Sequence, residues 1–304
     1  MKPELPQAIL HVPPTGWRVW WTAARPRTLT LATAPVVAGT ALAWAEGAPL
    51  LWPIALVVLL AALLIQIGTN LHNDAADYER GNDLADRLGP LRVTAAGWAT
   101  SAQVRTASRM AFGLAFLLGV FLVATGGWPI LAIGSASLAA GIAYSGGRRP
   151  ISHTPFGELF VWIFFGIFAV VGSYWLQAGT LSTAAWIAGA AVGFPAAAVL
   201  LVNNLRDVVI DTRCGRRTLA AVLGDGKARQ AYALLMFLPF ASLPLLSSAG
   251  LGGAWLALLT LPACLALTQR MRHTRGPALN GLLAQTAQCA LAFAVLLALG
   301  MLFI

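Results

Sequence analysis

The sequence predicts an all-α, polytopic membrane protein with nine transmembrane helices. Three observations carry that reading. Of the 304 residues, 58 % are hydrophobic and only 10 % charged, where aqueous domains average about 25 % charged residues. The apolar residues gather into nine runs that approach, with their flanks, the roughly 20 residues a helix needs to cross a bilayer. Every one of the 20 Lys and Arg residues falls on alternate connections between those runs. This composition excludes a soluble single-domain enzyme. It also excludes disorder, which goes with few apolar residues.

The elements follow in order. Residues 1–16 read as an N-terminal cytoplasmic tail: Pro3, Pro6, Pro13 and Pro14 interrupt it, and it lacks an apolar core of signal-peptide length. Residues 17–304 read as one transmembrane domain, entered through an amphipathic segment. Apolar runs lie near 28–45, 50–73, 106–125, 129–145, 158–178, 184–208, 229–247, 253–270 and 279–303. Turn formers separate them: Gly47 with Pro49, Gly126 and Gly127 before Pro129, Gly179, and Gly250 with Gly252 and Gly253.

Net charge is +9. A basic chain can bind nucleic acid, but here the charges are thinly spread between apolar runs, so membrane orientation accounts for them and no nucleic-acid partner is expected. The alternation puts the N-terminus in the cytoplasm and the C-terminus outside, as in an integral protein of a bacterial inner membrane. Cys214, Cys264 and Cys289 show neither metal-site spacing nor a paired framework.

Two polar clusters end even-numbered runs and so descend to one membrane side. The first is Asn70-Leu-His-Asn73-Asp74-Ala-Ala-Asp77, continuing to Asp83. The second is Asn203-Asn204-Leu-Arg206-Asp207-Val-Val-Ile-Asp211, continuing through Arg213, Arg216 and Arg217. On helices, Asn70, Asp74 and Asp77 share a face, as do Asn203, Asp207 and Asp211. The clusters lie 133 residues apart, which suggests an internal duplication around a central cavity open to the cytoplasmic side. Like charges one turn apart near a bilayer need neutralising. One reading is ion bridges to Arg80, Arg206 or Arg213. The other is that Asp74, Asp77, Asp207 and Asp211 hold Mg²⁺, a hard ion that takes oxygen ligands and shares them with phosphates. The arginine loop 213–217 suits a phosphate better than a bare cation. A carboxylate-based cation transporter is the alternative from another functional class.

These motifs closely resemble the UbiA superfamily of intramembrane prenyltransferases, which carry one aspartate-rich motif after helix two and another after helix six. Further segments resemble its 1,4-dihydroxy-2-naphthoate polyprenyltransferase branch: Ala24-Arg-Pro-Arg-Thr-Leu29, Asn73-Asp-Ala-Ala-Asp-Tyr-Glu-Arg-Gly81, Arg87-Leu-Gly-Pro90, Tyr144-Ser-Gly-Gly147, Phe156-Gly-Glu-Leu159 and Arg217-Thr-Leu219. Gly81 stands where many members place a third aspartate, and Arg216 where a lysine is common.

The resemblance implies a Mg²⁺-dependent enzyme of menaquinone biosynthesis. It would transfer a polyprenyl group from polyprenyl diphosphate to 1,4-dihydroxy-2-naphthoate, with loss of CO₂ and pyrophosphate. Other members act on 4-hydroxybenzoate, homogentisate or a lipid alcohol. On this reading Asp74, Asp77, Asp207 and Asp211 hold the ion. Asn70, Asn73, Asn203 and Asn204 complete or orient its shell, and Arg206, Arg213, Arg216, Arg217 and Lys227 grip the phosphates. Arg25 meets the acceptor carboxylate or the diphosphate. Tyr144 faces the allylic cation, whose charge an aromatic ring stabilises. Glu158 reads first as a favourable charge at a helix N-terminus.

Overall fold

The computed structural model describes residues 16–83 and 86–303. The expected tail, residues 1–16, lies outside them except for Gly16. Among the described residues nine helical spans are long and apolar enough to cross a membrane. A short helix, α1 (Trp17–Ala24), precedes them. It buries Val19, Ala23 and Ala24 and leaves Trp17, Trp20 and Trp21 exposed, the placement expected of an interfacial helix.

The spans are α2 (Pro26–Ala45), α3 (Trp52–Glu79), α4 (Ser101–Gly126) and α5 (Trp128–Ser145). The fifth joins α6 (Gly157–Trp162), a π-helical turn (Ile163–Phe168) and α7 (Ala169–Ala178). Next come α8 (Thr183–Arg213), then α9 (Leu219–Phe237) continued through a 3₁₀ turn into α10 (Leu243–Ser248). A 3₁₀ stretch (Gly252–Thr260) runs into α11 (Leu261–His273), and α12 (Leu279–Leu302) ends the fold.

Local chemistry sets the boundaries. Arg25, at φ 54°, turns the chain between α1 and α2, and Pro26 occupies the first position of α2, where the missing N–H costs nothing. Thr100 and Gln103 form a reciprocal capping box on α4. Ser182 caps α8 and Thr218 caps α9 through their side-chain oxygens. Gly179 closes α7 in the left-handed conformation. The seventh span starts at Leu219, ten residues before the expected run, because the Thr218 cap recruits residues 219–228, with Asp225 and Lys227 among them, despite a break at Gly224 (φ 72°).

Glycines let the central helices approach. A Cβ on Gly193 would lie 2.6 Å from the Trp162 carbonyl oxygen, and one on Gly166 2.5 Å from the Gly189 carbonyl oxygen. Trp162 Nε1 donates to the Ala190 carbonyl at 3.0 Å across the same crossing. At the end of the bundle away from the carboxylates, Glu46 accepts from Tyr174 (2.5 Å) and Ser182 (2.8 Å), and Trp175 donates to the Gly126 carbonyl (2.7 Å). These bonds stitch the turns there together.

The two carboxylate helices are the longest, at 28 and 31 residues. At 1.5 Å per residue they run about 42 and 46 Å, beyond the ~30 Å hydrocarbon core. Their polar C-terminal turns therefore emerge together on one side of the bundle.

Candidate active site

One polar cavity lies between those turns. It is lined by Asn73 and Asp77 of α3 and by Asn203, Asn204, Asp207 and Asp211 of α8. Asn73 and Asp77 are four residues apart, as are Asn203 and Asp207, so each pair projects from one helix face. Arg25, Tyr144, Ser152 and Arg216 complete the wall with Asn82, Arg87 and Arg92 from the loop after α3. Free volume is about 40 Å³, because arginines occupy the space between the carboxylates.

The ion pairs form a chain. Arg92 Nη2 is 2.5 Å from Asp77 Oδ2. Arg216 bonds Asp77 Oδ1 through Nη2 and stands 3.3 Å from Asp211 through Nη1, so it bridges α3 and α8. Arg206 forks onto its neighbour Asp207, Nε to Oδ1 at 2.9 Å and Nη2 to Oδ2 at 2.5 Å. Arg206 also donates to Asn203 and Asn280, both at 2.8 Å, and its side chain has no exposed surface. Removing one member of such a buried pair strands the other charge. Each of the three carboxylates is thus aimed by at least one guanidinium.

Arg25 differs from the other cavity arginines. It makes no ion pair, and its buried Nη2 has no hydrogen-bond partner among the described residues. Its left-handed backbone stores strain that surrounding structure must hold. Burial, and behind it the charges of Arg92 and Arg87, pull its pKa down to about 9, so it remains a cation at neutral pH that lacks an anion. Arg87 is drawn down to about 10, first by burial and then by Arg92.

Several expected site residues take other roles. Asp74 does not line the cavity; its carboxylate accepts from the backbone N–H groups of Val93 (3.1 Å) and Thr94 (3.2 Å) and from the Thr94 hydroxyl. The reason is angular: Asp74 sits about 100° round the helix from Asn73 and faces the loop. Asn70, a turn deeper, donates to the Ala24 carbonyl (2.9 Å) and to Thr28 (3.2 Å), tying the α1–α2 corner to α3. Arg206 lies behind Asp207 rather than in the wall. Arg213 is exposed and pairs with Asp86 at 2.7 Å, while Arg217 and Lys227 are exposed to the surroundings and absent from the lining. Of the ion bridges expected from Arg80, Arg206 and Arg213, only that from Arg206 reaches a cluster aspartate; Arg80 donates to the Gly147 carbonyl at 3.1 Å.

Arg92 and Arg87 line the cavity, and Asp83 stands against both of them, although spacing along the helices does not reveal them. Arg92 Nε stands 3.0 Å from Asp83 Oδ1, yet its N–H points off the acceptor, and both Asp83 oxygens are buried without a hydrogen bond among the described residues. Burial raises the Asp83 carboxyl pKa, against the pull of Arg92 and Arg87. Glu158 is also more than a charge at a helix start. It is buried, accepts from Asn204 at 2.9 Å, and its second oxygen has no partner among the described residues. The donor set fits a hard divalent cation: three carboxylates and four amide side chains face one cavity. Among the described residues no three acidic, His or Cys side chains already converge on a single point, so arginines must give way for an ion to enter.

The model of the UbiA prenyltransferase family matches residues 32–280. A 1,4-dihydroxy-2-naphthoate octaprenyltransferase of Escherichia coli is 37 % identical over 294 residues, covering 93 % of this chain and 94 % of that protein. The enzyme of the same name from Mycobacterium tuberculosis is 40 % identical over 214 residues, 70 % of this chain and 72 % of that protein. Among solved structures, a UbiA homologue from Aeropyrum pernix superposes with a TM-score of 0.67 at 19 % identity, covering 89 % of this chain and 96 % of that one. Another, from Archaeoglobus fulgidus bound to GPP and Mg²⁺, gives 0.63 at 13 % identity over 94 % of this chain and all of that one. At those identities the likeness speaks for the fold.

Proposed function

The chain belongs to the UbiA prenyltransferase family, and from that premise we propose that it transfers a polyprenyl group from polyprenyl diphosphate to 1,4-dihydroxy-2-naphthoate. CO₂ and pyrophosphate leave, and demethylmenaquinone forms, a step of menaquinone biosynthesis. The observation that carries this reading is the pair of Asn-x-x-x-Asp turns on α3 and α8, facing one cavity and bridged by Arg216. Five relatives of the same name, at 32–40 % identity, support the acceptor. A cation transporter has no comparable use for the arginines that fill the cavity.

The task is to break an allylic C–O bond to a diphosphate. Asp77, Asp207 and Asp211 would hold Mg²⁺, which when bound would supply charge neutralisation to the departing pyrophosphate. Asn73, Asn203 and Asn204, which line the same cavity, would complete the shell of such an ion. Arg92 and Arg216 exchange part of their carboxylate contacts for phosphate oxygens, which a guanidinium meets in bidentate fashion. Arg25, the cation without an anion, pairs with the carboxylate of the acceptor. Tyr144 sets an aromatic wall beside the reacting carbon.

The deciding assay incubates purified protein with a prenyl diphosphate and each acceptor in turn. Prenylation of the naphthoate with release of CO₂ is expected. Prenylation of 4-hydroxybenzoate with the naphthoate untouched would refute the acceptor assignment and leave the family standing.

The protein is an integral membrane protein. We place it in the bacterial inner membrane with the carboxylate cavity on the cytoplasmic side, because all positive residues flank that side. A reporter fused after Gly126 or Gly179 is expected outside, and one after Gly147 inside. A cytoplasmic signal at Gly179 would overturn the orientation.

A further inference from the structure

We propose that Asp74 is a positioning residue that acts through Arg92, and not a holder of the metal. This rests on the prenyl-transfer reading above. Asp74 is 1 % exposed and its carboxylate is fully engaged by one short segment of the loop after α3. Oδ2 accepts from the Val93 N–H at 3.1 Å, and Oδ1 accepts from the Thr94 N–H at 3.2 Å and from the Thr94 hydroxyl. The same hydroxyl reaches the Asp74 backbone carbonyl at 3.3 Å.

The segment itself is a tight turn. Ala96 N–H donates to the Arg92 carbonyl and Gly97 N–H to the Thr94 carbonyl, both at 3.0 Å, and Trp98 N–H returns to the Val93 carbonyl at 2.9 Å. Val93 has no exposed surface and packs with Leu71, Ala75 and Val104. Asp74 therefore fastens a preformed turn onto α3 by its first residues. The residue immediately before the two pinned amides is Arg92. Its Nη1 donates to the Asn73 carbonyl at 2.7 Å, its Nη2 meets Asp77 at 2.5 Å, and its Nε lies 3.0 Å from Asp83.

A carboxylate with three donors on it has little capacity left for a cation, and its orientation is away from the cavity. Its charge-assisted bonds to backbone amides are of the strong kind. In the 21-residue connection (residues 80–100) between α3 and α4, these bonds join the burial of Val93 in fixing the turn that carries Arg92. The adjacent motif residues thus divide the work: Asp77 faces the cavity, and Asp74 holds the loop that brings a guanidinium to Asp77.

The test compares Asp74→Asn, Arg92→Gln, the double variant and Asp77→Asn in the holoenzyme assay, together with hydrogen exchange of the loop amides. Asp74→Asn is expected to raise KM for the diphosphate about tenfold, as loss of a charge-assisted bond would. It should leave KM for the aromatic acceptor and the half-saturating Mg²⁺ concentration unchanged. Protection of the Val93 and Thr94 amides should fall. In the Arg92→Gln background Asp74→Asn should add nothing further, the non-additivity of residues acting through one group. The milder Thr94→Val is expected to move the same parameters less, and Thr94→Ser to restore them, which keeps the test decisive if Asp74→Asn folds poorly.

Multiplicative effects of Asp74→Asn and Arg92→Gln, or a raised Mg²⁺ requirement like that of Asp77→Asn, would overturn the proposal. So would unchanged amide protection. If the wild-type protein transfers no prenyl group, the functional reading fails instead, and the exchange data still report whether Asp74 holds the loop.

Discussion

Asp77→Asn should yield a folded protein whose prenyl transfer is slower by at least about a hundredfold. Metal-assisted leaving-group stabilisation amounts to several kcal/mol, and each 1.36 kcal/mol is a factor of about ten. Asp77 is the carboxylate on which the site converges: it meets Arg92 through one oxygen and Arg216 through the other. Asparagine preserves its size and one acceptor but removes the charge. Folding should survive, because Arg216 retains Asp211 and Arg92 retains Asp83, so neither cation is stranded. The measurement is pyrophosphate release in nanodiscs across a Mg²⁺ titration, with Asp225→Asn, in an exposed ion pair on α9, as the control. Near-normal turnover with an unchanged Mg²⁺ dependence would show that Asp77 is only an arginine partner.

The contrast between Asp77 and its neighbour Asp74 marks what sequence can and cannot reveal. Nine spans were legible because length and hydropathy are local properties, and the alternation of positive charge checks the count. That Asp77, Asp207 and Asp211 would face one cavity was legible because helical spacing places them one or two turns apart on emergent helix ends. Asp74 satisfies the same acidic pattern, and only the folded 92–94 turn shows that its carboxylate is engaged elsewhere. Arg213, Arg217 and Lys227 do not line the cavity. They are close to the second motif along the chain, but the helix end carries Arg216 inward and leaves its neighbours exposed. Arg92 entered the site by loop closure over residues with no periodicity, so no spacing rule could have found it. A buried-pair argument offers a signal: Asp77 and Asp83 in a membrane protein demand cations, and Arg87 and Arg92 are the nearest unassigned ones downstream.

The largest structural effect should come from a residue with no side chain. Gly193→Val is expected to abolish recovery of monodisperse protein or to lower its thermal midpoint in detergent sharply. A β-carbon there would stand 2.6 Å from the Trp162 carbonyl oxygen, 2.8 Å from Cδ1 of the Trp162 ring and 3.0 Å from Gly166 Cα. Two of those three contacts are backbone, so rotamer changes cannot relieve them. Overpacking in a filled core costs about 1–3 kcal/mol even when neighbours can shift, and small residues at membrane helix crossings exist to let backbones touch. The crossing also fixes how α8 leans on α6, and through Asn204 and Glu158 it sets the wall of the polar cavity. Gly193→Ala, which adds one methyl at the same place, should therefore show an intermediate loss, with transfer activity falling in the protein that remains folded. Gly119→Ala is the matched control: it lies within α4 with nothing inside 4 Å of the added carbon, where Ala is favoured over Gly in a helix by about 0.5–1 kcal/mol. Equal thermal midpoints for Gly193→Val and Gly119→Ala would mean that the α6–α8 crossing is not close-packed, and the placement of Asn204 against Glu158 would lose its structural basis.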